Sequence, residues 1–288
     1  MIDKPKRKSH AIGVFGPWFA PLRLEAILTL SGATTMKRLV LATCALCALL
    51  VLADFGRSST DKDLRALIDK AIAAHGGEAK LAKFPAQTLK GAGKFYGLGE
   101  AIDCNLEIAS QDKKFRFGLD MKVMNFDLKI TVVVNGEKGW EKVNDDVKDM
   151  AADELAEHKE QMHSQAVASL LPLKKDKGYQ LSLIGDVKVG DQAAVGVRIA
   201  KKGHRDVSLF FDKAKGHLVK SEFVIKDIKG GGDKEMMQAN LYYDYKEFQG
   251  TRCPTRVVIE RDGKKFADTQ LTEIQLLEKL DDGTFDRP

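Results

Sequence analysis

Beyond residue 53 this chain has no net charge to offer a polyanion. The full sequence holds 46 Lys and Arg against 41 Asp and Glu, but 7 of those cations and only 2 of those acids lie in the first 53 residues, leaving 39 of each. The overall +5 therefore belongs to the leader, and no later stretch is densely basic, so no nucleic-acid partner is expected. Cysteine is scarce as well. Of four, Cys44 and Cys47 fall inside an apolar run at 39–53, which leaves Cys104 and Cys253 for the rest of the chain. A disulfide between them and two lone buried thiols are both open readings, because spacing does not set their separation.

Reaction motifs are missing too. The sequence contains no G-x-S-x-G elbow and no G-x-x-x-x-G-K phosphate loop, and Gly91-Ala92-Gly93-Lys94 is too loose to serve as one. His158 and His163 are five residues apart, which turns them to different sides of a helix, whereas a metal pair needs i, i+4 and a third ligand. Asp145, Asp146 and Asp149 lack the glutamate that closes a calcium loop, so they read as a solvated turn. No metal, no cofactor and no enzymatic activity are expected. A hydrolase built on His158 or His163 is the rival reading.

The chain also lacks an apolar run long enough to span a membrane. The uncharged run at 39–53 has 15 residues, where a spanning helix needs roughly 20 and an export-signal core about 7–15. Met36-Lys37-Arg38 supplies a basic start, and Val51 and Ala53 put small residues at −3 and −1 of a cut after Ala53. A signal peptide at 36–53 and an exported, periplasmic protein are expected, with a retained anchor as the alternative. Residues 1–35 read as a mis-assigned or unstructured leader, and 61–288 as a single domain.

Within 61–288 the apolar residues are regularly spaced. Leu64, Leu67, Ile68, Ala71 and Ile72 recur at helical spacing from Asp61 to His75, with Asp61 as N-cap, Gly76-Gly77 as stop and His75 complementing the dipole. From Gln87 the period becomes two. Met124, Phe126, Leu128, Ile130, Val132 and Val134 predict one face of a long strand, and Asn135-Gly136 a hairpin. The alternation returns in Phe115/Phe117, Val207/Leu209/Phe211, Phe223/Ile225, Leu241/Tyr243/Tyr245 and Val257/Ile259, separated by turns short enough for a meander. Residues 151–171 interrupt it with a helix, or two short ones, ending at Pro172. A one-sided antiparallel sheet must hide its apolar face, and two helices covering one curled sheet satisfy that need. The fold class expected is α+β: a single strongly curved antiparallel sheet, an open barrel, with helices plugging its concave face.

The helix closing in His75-Gly76-Gly77, the hairpin Val134-Asn135-Gly136-Glu137-Lys138-Gly139-Trp140, and the closing block Tyr243-Asp244-Tyr245-Lys246, Gly250, Pro254-Thr255-Arg256-Val257, Phe285 and Pro288 together resemble the periplasmic lipoprotein-localisation carriers, the LolA/LolB-like superfamily. The resemblance covers most of 61–288 and rests on the order of elements. It implies an unclosed barrel whose hollow accepts the acyl chain of a lipid or lipoprotein, a membrane-associated transport partner, and a lid at 151–171. The lid-locking arginine and protruding apolar loop of the carriers map to no particular residue here. Phe115, Phe117, Met124, Phe126, Leu128, Leu209, Phe211, Phe223, Tyr243 and Tyr245 are the expected lining, with Met162 and Leu170 closing it from the helix side. The alternative is the same fold with a filled core, acting as an envelope assembly or sensor module.

Overall fold

The computed structural model describes residues 60–227 and 234–288; the expected signal at 36–53 and the glycine run at 230–232 lie outside them. Helix α1 (Asp61–Ala74) is capped by Thr60, one residue earlier than expected. Asp63 N–H donates to the Thr60 hydroxyl (3.3 Å) and Thr60 N–H to the Asp63 carboxylate (3.1 Å), a reciprocal capping box, while Asp61 pairs with Arg65 instead (2.8 Å). At the far end Gly76 has φ 116° and Gly77 N–H donates to the Ile72 carbonyl (2.9 Å). A Cβ on Gly76 would sit 2.5 Å from the Gly250 carbonyl oxygen. Gly76→Ala is therefore expected to cost about 1–3 kcal/mol, read as a lower urea midpoint at unchanged slope.

A second short helix, α2 (Glu78–Lys83), comes next, then strands β1 (Ala86–Phe95), β2 (Ile102–Gln111), β3 (Lys114–Val123), β4 (Phe126–Asn135), β5 (Lys138–Val143) and β6 (Asp146–Asp149). Helices α3 (Ala152–Ala168) and α4 (Leu171–Lys175) lead on from β6. The chain closes with β7 (Gln180–Val189), β8 (Gln192–Ala200), β9 (Val207–Asp212), β10 (Leu218–Asp227), β11 (Lys234–Phe248), β12 (Thr251–Arg261) and β13 (Lys264–Leu277). Pro172 does not end a helix as expected. The break is Leu170, at φ 71°, and Pro172 falls in the first turn of α4, where its missing N–H leaves no bond unmade.

Every strand pairs antiparallel with its neighbour in sequence, except that β1 pairs with β13 while β6 and β7 remain as the two edges of one unclosed sheet. Helix α3 packs on β9 and β10 and also on β4, although six strands separate β4 from β10. Contact with both walls requires the sheet to curl around it. Gly93 assists that bend, because a Cβ there would collide with the Asp268 carbonyl of β13. The open, strongly curved antiparallel sheet plugged by helices is the fold expected. Among the described residues four helices, not two, supply the cover.

Register separates the faces. The helix side of β8, β9 and β10 carries Val197, Ile199, Val207, Leu209, Phe211, Phe223 and Ile225, packed against Leu64, Ile68 and Ile72 of α1 and Val167, Leu170 and Leu173 beyond them. Burying each such side chain contributes about 1.5–3 kcal/mol, which makes this cluster the main hold of helices on sheet. The opposite face is covered locally: Phe285 of the 3-10 turn Asp282–Phe285 packs on Ala109 and Val133, and Asn135 Nδ2 donates to its carbonyl (3.2 Å).

Two register readings need correction. Met124 is not in a strand; with Asn125 it forms a two-residue turn, φ 47° and 72°, joining β3 to β4. Leu241, Tyr243 and Tyr245 do not share a face. Leu241 packs in the outer cluster of Phe210 and Val219, and Tyr243 lies under the Arg256 guanidinium. Asp244, at φ 55° and outside the β11–β12 pairing, then reverses the alternation and sends Tyr245 to the helix side; Tyr242 is the core tyrosine.

Candidate functional site

Where α1, α2, α3 and α4 approach one end of the sheet they leave a half-open cleft of about 460 Å³, within the size range of small-molecule sites. Leu81 of α2 and Phe84 after it form one wall; Met162 and Ala166 of α3 with Leu170, Leu171 and Pro172 form another; Phe115 of β3, Pro254 of β12 and Leu276 of β13 line the sheet side. Its charged groups are Lys80, Asp112, Lys114, Lys175 and Arg252. A wider, shallower dish of about 650 Å³ lies on the outer face of β1 to β4, between alternating charges such as Lys94 and Asp103 (2.6 Å) or Lys122 and Asp127 (3.8 Å). Charges of both signs alternate across it, so it is a solvated sheet surface and the smaller apolar cleft is the candidate site.

The twelve expected lining residues divide among six environments. Phe115, Met162 and Leu170 meet in the cleft. Leu209, Phe211 and Phe223 are packed solid beneath the helices, 0%, 0% and 3% exposed, so the hollow expected over β9 and β10 is filled. Phe117 and Leu128 join Cys104, Leu119 and Met121 in a separate apolar group on the helix-side face of β2, β3 and β4. Met124 and Phe126 stand 88% and 76% exposed at the β3–β4 hairpin tip, outside any packed face. Tyr243 is on the outer surface, and Tyr245 is buried beside His75 and His217. Leu81, Phe84, Pro254, Leu276 and the rim cations were not expected as lining, since they come from several separate segments without a shared period.

Helix α3 is pinned over this arrangement by charge. Glu157, 7% exposed, binds the Arg205 guanidinium and accepts from Lys226 N–H (3.1 Å) and Gln161 (3.2 Å). Glu160 accepts from Arg205 N–H (2.6 Å) and pairs with His204 (3.0 Å). One turn on, His163 stacks on His204 with ring centroids 3.6 Å apart. Nearby Arg261 lies against the Phe266 ring, and burial lowers its pKa to about 10.

Several groups are held neutral. Burial raises the Cys253 thiol to about 11 and raises that of Cys104; both cysteines are free, so the disulfide reading falls. Burial lowers His75, which works at the end of α1 through a ring-to-Ala71 carbonyl hydrogen bond (2.8 Å) rather than as the dipole cation expected. His217 is half-buried on the Tyr245 ring and likewise lowered. Burial, then the His204 charge, lowers His163 to about 4. An unfolded histidine titrates near 6.5, so between roughly pH 6.5 and 4 the unfolded chain binds a proton at His163 that the folded chain refuses. Urea stability should be level above that window and fall as pH drops through it. His163→Gln should flatten the slope, leaving the smaller part due to His75 and His217.

Among the described residues no cluster of three metal-ligating side chains occurs, and no helix is long and apolar enough to cross a membrane. The sequence matches no family model and no curated protein. Solved structures similar to it include a DUF1329 family protein from Desulfovibrio piger, 11% identical, covering 77% of this chain and 96% of that one at TM-score 0.50. A LolA superfamily protein from Nitrosomonas europaea has the same identity and coverage at TM-score 0.47, and the Mycobacterium tuberculosis lipoprotein LppX, 14% identical, covers 58% and 90% at 0.28. At such identities the likeness is one of fold alone, carried by the first of these three, and it agrees with the architecture expected from the carrier resemblance.

Proposed function

We propose that this protein binds the acyl chain of a lipid or lipoprotein non-covalently outside the cytoplasm, as a carrier and not as a catalyst. The carrying observation is the apolar cleft between Phe84, Phe115, Met162 and Leu170. Each buried methylene contributes about 0.8 kcal/mol, so walls of this kind hold a chain without polar chemistry, and the flexible Met162 adapts to its outline. The export signal read at 36–53 supports the location. Sorting of outer-membrane lipoproteins with a membrane-associated partner is the finer form of the reading, and the carrier resemblance is its support.

Delipidated mature protein should take up a fluorescent fatty acid saturably. Met162→Asp should lose that uptake, whereas Phe126→Asp, at the exposed hairpin tip, should stay within about twofold of it. Absence of uptake by protein that is folded by circular dichroism overturns the proposal. The packed state of Leu209, Phe211 and Phe223 favours a second reading, an envelope assembly or sensor module. Purification with a protein partner and no lipid would decide for it.

A further inference from the structure

Four of the five charged side chains lining the cleft are cations: Lys80, Lys114, Lys175 and Arg252, against Asp112. Lys114 is committed to Asp282 at 2.8 Å. Lys80, Lys175 and Arg252 pair with no carboxylate among the described residues, and all three are exposed. This local excess occurs in a chain that carries 39 basic and 39 acidic residues beyond position 53, and the adjacent Lys83 and Lys174, by contrast, do have acidic partners. His75 and Cys253, the other titratable groups lining the cleft, are held uncharged by burial and add no charge to it. An apolar slot whose mouth holds unmatched cations is complementary to a molecule with an apolar tail and an anionic head, since desolvated tail and charged head are each met by the matching surface.

We infer that the ligand of this cleft is an anionic amphiphile, its carboxylate or phosphate head held at the mouth by Lys80, Lys175 and Arg252 and its chain lying against Phe115 and Met162. The inference rests on the acyl-binding reading and narrows it to a ligand class. Salt screens such contacts, and the side chains are on the surface, so the preference is modest and falls with ionic strength.

The test compares affinities of the delipidated protein for dodecanoate, dodecyl phosphate, dodecanol and inorganic phosphate, by calorimetry in low and high salt. Dodecanoate and dodecyl phosphate should bind roughly tenfold tighter than dodecanol at low salt, with the ratio shrinking as salt rises. In the Lys80→Gln, Lys175→Gln, Arg252→Gln triple variant the ratio should fall to about one; the substituted positions are exposed, and circular dichroism checks the fold. Equal binding of all three dodecyl compounds overturns the anionic-head inference and leaves acyl binding standing. A charge preference untouched by the triple variant overturns the assignment to these residues. Inorganic phosphate binding as tightly as dodecyl phosphate makes this a free-anion site and overturns the amphiphile, and failure of every chain to bind overturns the acyl reading itself.

Discussion

Ala166→Trp should abolish acyl-chain uptake while leaving the fold intact. Ala166 is an exposed residue of α3 whose side chain faces the cleft, so a larger group there meets open space and not packed core. An indole carries about 150–250 Å² of surface and would occupy much of a cleft of about 460 Å³. Displacing even four methylenes forfeits about 3 kcal/mol, a loss on the order of a hundredfold in affinity. The measurement is a titration with a fluorescent fatty acid, with circular dichroism and urea unfolding as controls. Uptake at the original affinity by folded Ala166→Trp would remove this cleft as the site, and attention would pass to the apolar group around Phe117, Leu119 and Leu128.

Glu157→Ala should be the most damaging single substitution in the helical layer. Glu157 is the buried carboxylate that meets Arg205, Gln161 and the Lys226 amide together. Removing it leaves a largely buried guanidinium with only the Glu160 carboxylate, 4.0 Å from its Nε, while its Nη1 already has no hydrogen-bond partner among the described residues, and it takes a carboxylate acceptor from the Lys226 N–H. Breaking one side of a buried pair costs about 3–5 kcal/mol, and the residual exposure of Arg205 places this case near the lower end. For a domain of this size that corresponds to a fall in Tm of roughly 10 °C. Replacing both partners with leucine should recover part of the loss, because the under-compensated charge goes while the carboxylate acceptor of the Lys226 N–H is not restored. Equal stability of the single and double variants would show that the ion pair is not what holds α3.

Much of the architecture was legible because it obeys local rules. The stripe of Leu64, Ile68 and Ile72 marks α1, and the period of two in Val207, Leu209 and Phe211 marks a half-buried strand, whatever lies opposite. Asn135-Gly136 announces its hairpin, Gly136 taking φ 62°. Misreadings arose where one residue's backbone overrides the period. Met124 alternates perfectly with Phe126 and Leu128 and is nevertheless a turn residue; Asp244 inverts the faces of its neighbours by a single left-handed step. Nothing in composition distinguishes these from strand residues, because a left-handed step is uncommon for either residue type and is imposed here by the turn and by the bulge.

The candidate site was legible only in type. Period and residue size identify which side chains avoid water, so the chain alone determined a sheet with one apolar face, helices to cover it, and a stock of Phe, Leu and Met on that face. Whether a given stripe is core or cleft depends on the distance to the opposing layer, which is set by how far the sheet curls and where α3 lies across it. That choice was made by contacts between residues remote in sequence, such as Glu157 with Arg205 and Leu155 over Gly139. It filled the space above Leu209 and Phe211 and left space open beside Phe115 and Met162. Local chemistry is written in neighbours, whereas a cavity is the difference between two surfaces, and only the folded chain brings both surfaces together.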